Sequence, residues 1–199
     1  MTAIVSSAVA PSALAGSLFL RGVSDDHLAR LAEVTSLTTV PAGHRLFTTG
    51  TAARQFWLIR AGQVAIDVDV PGQGRIVVET LGRGDLIGVS WFFPPFQWQF
   101  GAVAVQPTEA FELDAAAVRQ RCDEDPELGY QITRRLVAVV AKRLQATRRR
   151  MLEFAMQLDG QAVSEPEERG GAWTEERGTS DEGRRRLKGA PEASGGIEP

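Results

Sequence analysis

At 199 residues, with 43% hydrophobic and 24% charged side chains, the chain holds one domain of ordinary size with appendages, and collagen-like, coiled-coil-only and wholly disordered classes are excluded. Its formal net charge of -3 offers no global attraction to nucleic acid or anionic lipid, so any such binding must be local. The single cysteine, Cys122, excludes an internal disulfide framework and a thiolate-rich zinc or iron–sulfur site, and it fits a reducing compartment.

Residues 1–16 are small and apolar, but no Lys or Arg precedes Arg21, and Ser6, Ser7 and Pro11 interrupt the stretch. That is not the make-up of a secretory signal, and no run of 18 apolar residues occurs to span a membrane. The expectation is a flexible N-terminus over 1–16 in a cytoplasmic protein with no membrane partner. Ser24-Asp25-Asp26 then predicts a capped helix, with Leu28, Leu31 and Ala32 on its apolar side and two carboxylates in its first turn.

From Leu37 to Leu113 the texture changes to short runs punctuated by glycine and proline: TSLTTV before Pro41-Ala42-Gly43, then HRLFTTG, then FWLIRAG. In Val64-Ala65-Ile66-Asp67-Val68-Asp69-Val70 apolar residues alternate with small or acidic ones, the pattern of a half-buried strand. Pro71-Gly72-Gln73-Gly74 turns this strand back into Arg75–Thr80 as a hairpin. Strands at such spacing predict a sandwich or barrel, and no helices alternate with them as a parallel sheet would require.

After Leu113 the period returns to helical. Asp114 caps a short helix over 115–122, and Asp125-Pro126 starts a long one over about 127–158. On it Leu136, Val140, Leu144, Thr147, Met151, Phe154 or Ala155, and Leu158 recur at threes and fours. One small β domain cannot cover so long a stripe. A second copy of the helix is the simplest cover, which predicts a homodimer through Leu136, Val140, Leu144, Met151 and Leu158. Arg134, Arg135, Lys142, Arg143 and Arg148–Arg150 read as a hydrated face off that stripe. From Gln161 onward nine acidic and six basic residues, seven glycines and only four large apolar side chains predict a disordered tail over 159–199.

The order of parts over about 17–158 resembles the cyclic nucleotide-binding domain of the Crp/Fnr type. The residues that carry the resemblance are Pro41-Ala42-Gly43 with Leu46-Phe47 and Gly50; Phe56–Ile59 with Gly62-Gln63-Val64; Leu81–Asp85 with Gly88; and Ala102–Ala104 with Pro107-Thr108. It implies an α+β fold: an antiparallel β-jelly roll with flanking N-terminal helices and a long C-terminal helix. It also implies a phosphate-binding cassette after Gly88, in which a turn of helix offers amides to the phosphate, a Glu holds the ribose and an Arg some ten residues later pairs with the phosphate.

The sequence departs from that cassette. Val89 stands at the Glu position, and Gln99 or Trp98, depending on the register, stands at the Arg position. No charged residue occurs between Asp85 and Glu109, and nothing in the spacing directs Arg75 or Arg83 into the gap. Loss of the Arg alone weakens phosphate binding roughly 10- to 200-fold, so binding of ordinary cyclic AMP or GMP is expected to be absent or weak.

Aromatic residues take the place of the polar cassette: Trp91, Phe92, Phe93, Phe96, Trp98 and Phe100, with Pro94-Pro95 between them. They either plug the vacated site, line an apolar ligand pocket, or form a surface for a protein partner. The candidate ligand-binding residues are Gly88, Val89, Ser90, Trp91, Gln97, Trp98, Gln99 and Phe100.

No catalytic, metal or cofactor site is expected. His27 and His44 are the only histidines, and Gly82-x-Gly84 opens no phosphate-binding helix. The tail lacks the periodicity of a helix-turn-helix unit, which argues against sequence-specific DNA binding. The expectation is a non-catalytic regulatory or sensory module with a small-molecule effector or none, signalling through a dimeric helix. The alternatives are a protein-interaction module that docks through the aromatic loop or the tail, or a Crp/Fnr-like transcriptional regulator.

Overall fold

The computed structural model describes residues 7–162, with side chains over 8–157. The tail from 163 onward and the Leu158 side chain lie outside that range. The chain divides into two units, Met1–Met156, which carries the fold, and Gln157–Pro199, of which only the last turns of the final helix are described.

The elements begin earlier than expected. Strand β1 (Ser7–Ala8) and helix α1 (Pro11–Ala15, with proline in its first turn) lie in the stretch predicted to be flexible, and Leu14 is fully buried. The flexible reading of 1–16 therefore does not hold for residues 7–15. One leucine and two backbone pairings hold the segment, and their partners are distant in sequence. Helix α2 (Asp25–Ala32) starts where its cap predicts: Ser24 Oγ accepts the His27 N–H at 3.3 Å, and Leu28, Leu31 and Ala32 face the core.

The strands that follow are β2 (Thr35–Val40), β3 (Arg45–Phe47), β4 (Gln55–Ala61), β5 (Val64–Val70), β6 (Gly74–Leu81), β7 (Leu86–Ile87), β8 (Gly101–Ala104) and β9 (Thr108–Asp114). They form two antiparallel sheets, ordered β1-β2-β9-β4-β7 and β3-β8-β5-β6, with one buried cluster that takes in Phe56, Leu58, Val64, Ala102, Phe111 and Leu113. This is the α+β jelly roll expected.

The β5–β6 hairpin forms as predicted, with a bulge on β6: Ile66 faces Glu79 and Asp67 faces Val77, which leaves Val78 as the extra residue. Asp67 is buried all the same, and it accepts two hydrogen bonds from Arg45 at 3.0 and 2.6 Å. A buried carboxylate needs such a partner. Gly101 on the adjacent strand leaves room for the pair, since a Cβ there would stand 2.3 Å from Asp67 Oδ1.

Asp114 caps α3 (Ala115–Glu124) through the Ala117 N–H at 2.7 Å. Asp125 then accepts the N–H groups of Glu127 and Leu128, both at 3.1 Å, at the start of α4 (Pro126–Ala162), which runs past its predicted end. The same carboxylate binds Arg30 at 2.6 Å and the His27 ring at 3.1 Å, tying α2 to the α3–α4 junction. Leu128, Ile132 and Leu136 are buried in this domain's own core. Leu136 is thereby removed from the predicted dimer stripe, because its own protomer already covers it.

Candidate functional site

The loop that replaces the phosphate cassette, 88–100, contains no helix. It is built from turns, with the Phe92 N–H donating to Val89 O and the Phe96 N–H to Phe93 O. It is fastened to the 48–53 segment, where the Gly50 N–H donates to Trp98 O at 2.8 Å and the Trp98 N–H to Thr51 O at 2.9 Å.

The six aromatic residues divide by role. Trp91 is fully buried and stacks on Phe56 with ring centroids 4.0 Å apart, so it belongs to the core and lines no ligand space. Its indole N–H has no hydrogen-bond partner among the described residues. Trp98 stacks on Phe47 at 3.8 Å, and its ring covers Gly88: a Cβ on that glycine would stand 2.3 Å from the indole, and φ there is +83°. The ring thus fills the Cβ side of that turn, while Gly88, Val89 and Ser90 also border the open space beside it. Phe96 instead lies under the Arg119 guanidinium at 4.3 Å, while Phe93 and Phe100 are exposed. Gln97 also misses the ligand space, since it is held in an isolated bridge to Ala52.

The plug is incomplete. Beside Trp98 a cavity of about 770 Å³ opens between this loop and α4. Phe47, Ile66 and Trp98 form its inner end, and Val78, Gly88, Val89, Ser90, Gln99 and Phe100 its sides. Helix α4 closes it with Val140, Leu144, Thr147, Met151 and Phe154. Three residues of the predicted dimer stripe, Val140, Leu144 and Met151, thus face this cavity, although each remains at least 40% exposed.

The cations the cassette lacks arrive from the helix. Arg143 and Arg150 line the cavity, whereas Arg75 and Arg83 do not. Arg143 Nε stands 3.5 Å from Glu79 Oε2, and its Nη2 donates to Leu86 O. Arg150 Nη1 donates to Val78 O at 2.7 Å. Sequence reading placed both on a hydrated face. The available signal was their spacing: seven residues apart, they share the side of α4 that carries Val140, Thr147 and Phe154. Behind the Glu79–Arg143 pair lies a second cavity of about 310 Å³, bordered by Leu18, Leu81, Asp85, Arg135 and Lys142, so that pair is the partition between the two.

Nothing in this arrangement supplies an activated nucleophile. Burial, helped by Asp123 and Asp125, pushes the Cys122 thiol up to about 11, which keeps it protonated at neutral pH. Among the described residues no three His, Cys, Asp or Glu side chains gather as metal ligands, and no helix is long and apolar enough to cross a membrane.

Comparison with known proteins agrees with this fold. Residues 37–125 match the family model of the cyclic nucleotide-binding domain. A curated relative, the CRP-like cAMP-activated global transcriptional regulator of Mycobacterium tuberculosis, is 25% identical over 141 residues, which is 71% of this chain and 61% of that protein. The chain therefore spans 61% of the length of the curated relatives it matches. A cyclic nucleotide-binding domain from Methylobacillus flagellatus is similar in fold, with a TM-score of 0.67 and 22% identity, covering 75% of this chain and 88% of that one. The catabolite activator protein of Thermus thermophilus is also similar, with a TM-score of 0.55 and 22% identity over 71% of this chain and 63% of its own.

Proposed function

Residues 37–125 are a cyclic nucleotide-binding domain, and from that premise we propose that the chain is a non-catalytic regulatory module that takes a small effector other than cyclic AMP or GMP. The observation that carries this reading is the cavity of about 770 Å³ between the loop 88–100 and α4, a size suited to a small organic ligand. Its two sides are the parts an effector must move relative to each other if binding is to be felt at a distance. A ligand seated there touches both, and by favouring one setting of α4 it shifts the population of that setting.

Val89 and Gln99 or Trp98 stand where the family's cassette has Glu and Arg, and Trp98 packs against the turn at Gly88, so a cyclic nucleotide loses both of its customary side-chain holds. The proposed output is a homodimer through residues of α4 that do not line the cavity, where Val137 and Leu152 are 58% and 66% exposed.

Isothermal titration of the full chain with cyclic AMP, beside a thermal-shift screen of metabolites, tests the reading. No cyclic AMP saturation in the low-micromolar range and a saturable stabilisation by another small molecule are expected. Low-micromolar cyclic AMP affinity overturns it.

A further inference from the structure

We propose that the cavity under α4 receives an amphiphile bearing one carboxylate, its head group on Arg150 and its apolar body against Phe47, Ile66 and Trp98. This deepens the effector reading above and rests on it.

Charge is the first argument. Three charged side chains line the cavity, Glu79, Arg143 and Arg150. Glu79 and Arg143 stand 3.5 Å apart and neutralise one another. Arg150 has no carboxylate within ion-pairing distance among the described residues, and its hydrogen bond there goes to the Val78 carbonyl. The complement of this site is therefore a single negative charge, which suits neither a neutral hydrocarbon nor a dianion.

Polarity along the cavity is the second. The inner end is made of side chains that are almost wholly buried, Phe47 at 9%, Ile66 at 8% and Trp98 at 4% exposure. Arg150, Met151 and Phe154, further toward the C-terminal end of α4, are exposed. A ligand matching this gradient keeps its charge near water at Arg150 and places its hydrocarbon inside, where burial drives binding.

The test is titration calorimetry of the full chain with dodecanoate, methyl dodecanoate and cyclic AMP. Dodecanoate should saturate at one per protomer, and shortening the chain should weaken it roughly fourfold per methylene removed. Arg150→Met should weaken dodecanoate at least about tenfold and leave the ester unchanged. Thr147→Trp, at an exposed helical position facing the cavity, should abolish binding of both, with circular dichroism reporting that each variant is folded. Equal affinity for acid and ester, or no effect of Arg150→Met, overturns the head-group assignment while the effector reading stands. Failure of both dodecanoate and its ester to bind overturns the inference, and the metabolite screen then decides the effector reading separately. Preference for cyclic AMP overturns both.

Discussion

Over Pro126–Leu136 helix α4 turns Leu128, Ile132 and Leu136 into its own domain and holds each at 2% exposure or less. Over Val137–Met156 the same spacing of threes and fours leaves Val137, Leu144, Leu152 and Phe154 between 48% and 66% exposed. Nothing in the residue types separates the two stretches. The difference lies in what stands opposite. The first half meets the packed end of the β-roll and the α2–α3 corner. The second runs beside the β5–β6 hairpin and the loop at Gly88, where the facing surfaces stand apart and enclose a cavity. An apolar stripe thus tells which side of a helix needs cover, and the neighbouring surface decides whether that cover is core, ligand or another chain.

The contrast carries measurable consequences. Leu136→Ala should cost about 2–5 kcal/mol in urea unfolding, whereas Leu152→Ala should cost less than ~1 kcal/mol. Similar losses at both sites would erase the distinction between the halves. Gly88→Ala should cost about 1–3 kcal/mol and change tryptophan emission, because the new methyl group strains a φ of +83° and must push the Trp98 ring aside. An unaltered emission spectrum would mean that the ring does not cover the turn.

Val137→Glu combined with Leu152→Glu should convert a dimer into a monomer in sedimentation while changing the stability of the fold by no more than ~1 kcal/mol. A dimer that persists would place the partner elsewhere. The smallest effect concerns the anchor of the buried half. The Leu128 N–H, with His27 and Arg30 assisting against desolvation, holds the Asp125 carboxyl below the usual carboxylate range. Its contribution is therefore complete above the ordinary carboxylate pKa near 4 and fades as pH falls through the lowered value. Asp125→Asn should melt below the wild type at pH 7, with the gap closing on acidification below about pH 4. A gap independent of pH would show that the charge of the carboxylate is not what stabilises this junction.

Features that depend on a few adjacent residues were legible before any coordinates. Ser24 and Asp114 cap the helices they were expected to cap, and Gly72 and Gly74 turn the β5–β6 hairpin with positive φ. The departure of the loop after Gly88 from a polar cassette could likewise be read from the absence of charge there. The misreadings share a cause. Asp67 looked like an outward residue of an alternating strand, yet it is buried against Arg45, 22 positions earlier. Leu14 looked idle because the core that receives it comes later in the chain.

Residue pattern was enough to specify the jelly roll, the long helix and the loss of the usual phosphate ligands, because caps, turns and periodicity act over a handful of bonds. The angle at which α4 meets the roll is set by packing between segments some sixty residues apart. That packing brought Arg143 and Arg150 over Glu79 and Val78 and left an open-sided space between α4 and the loop, while stacking on Phe56 and Phe47 sent Trp91 into the core and Trp98 over Gly88.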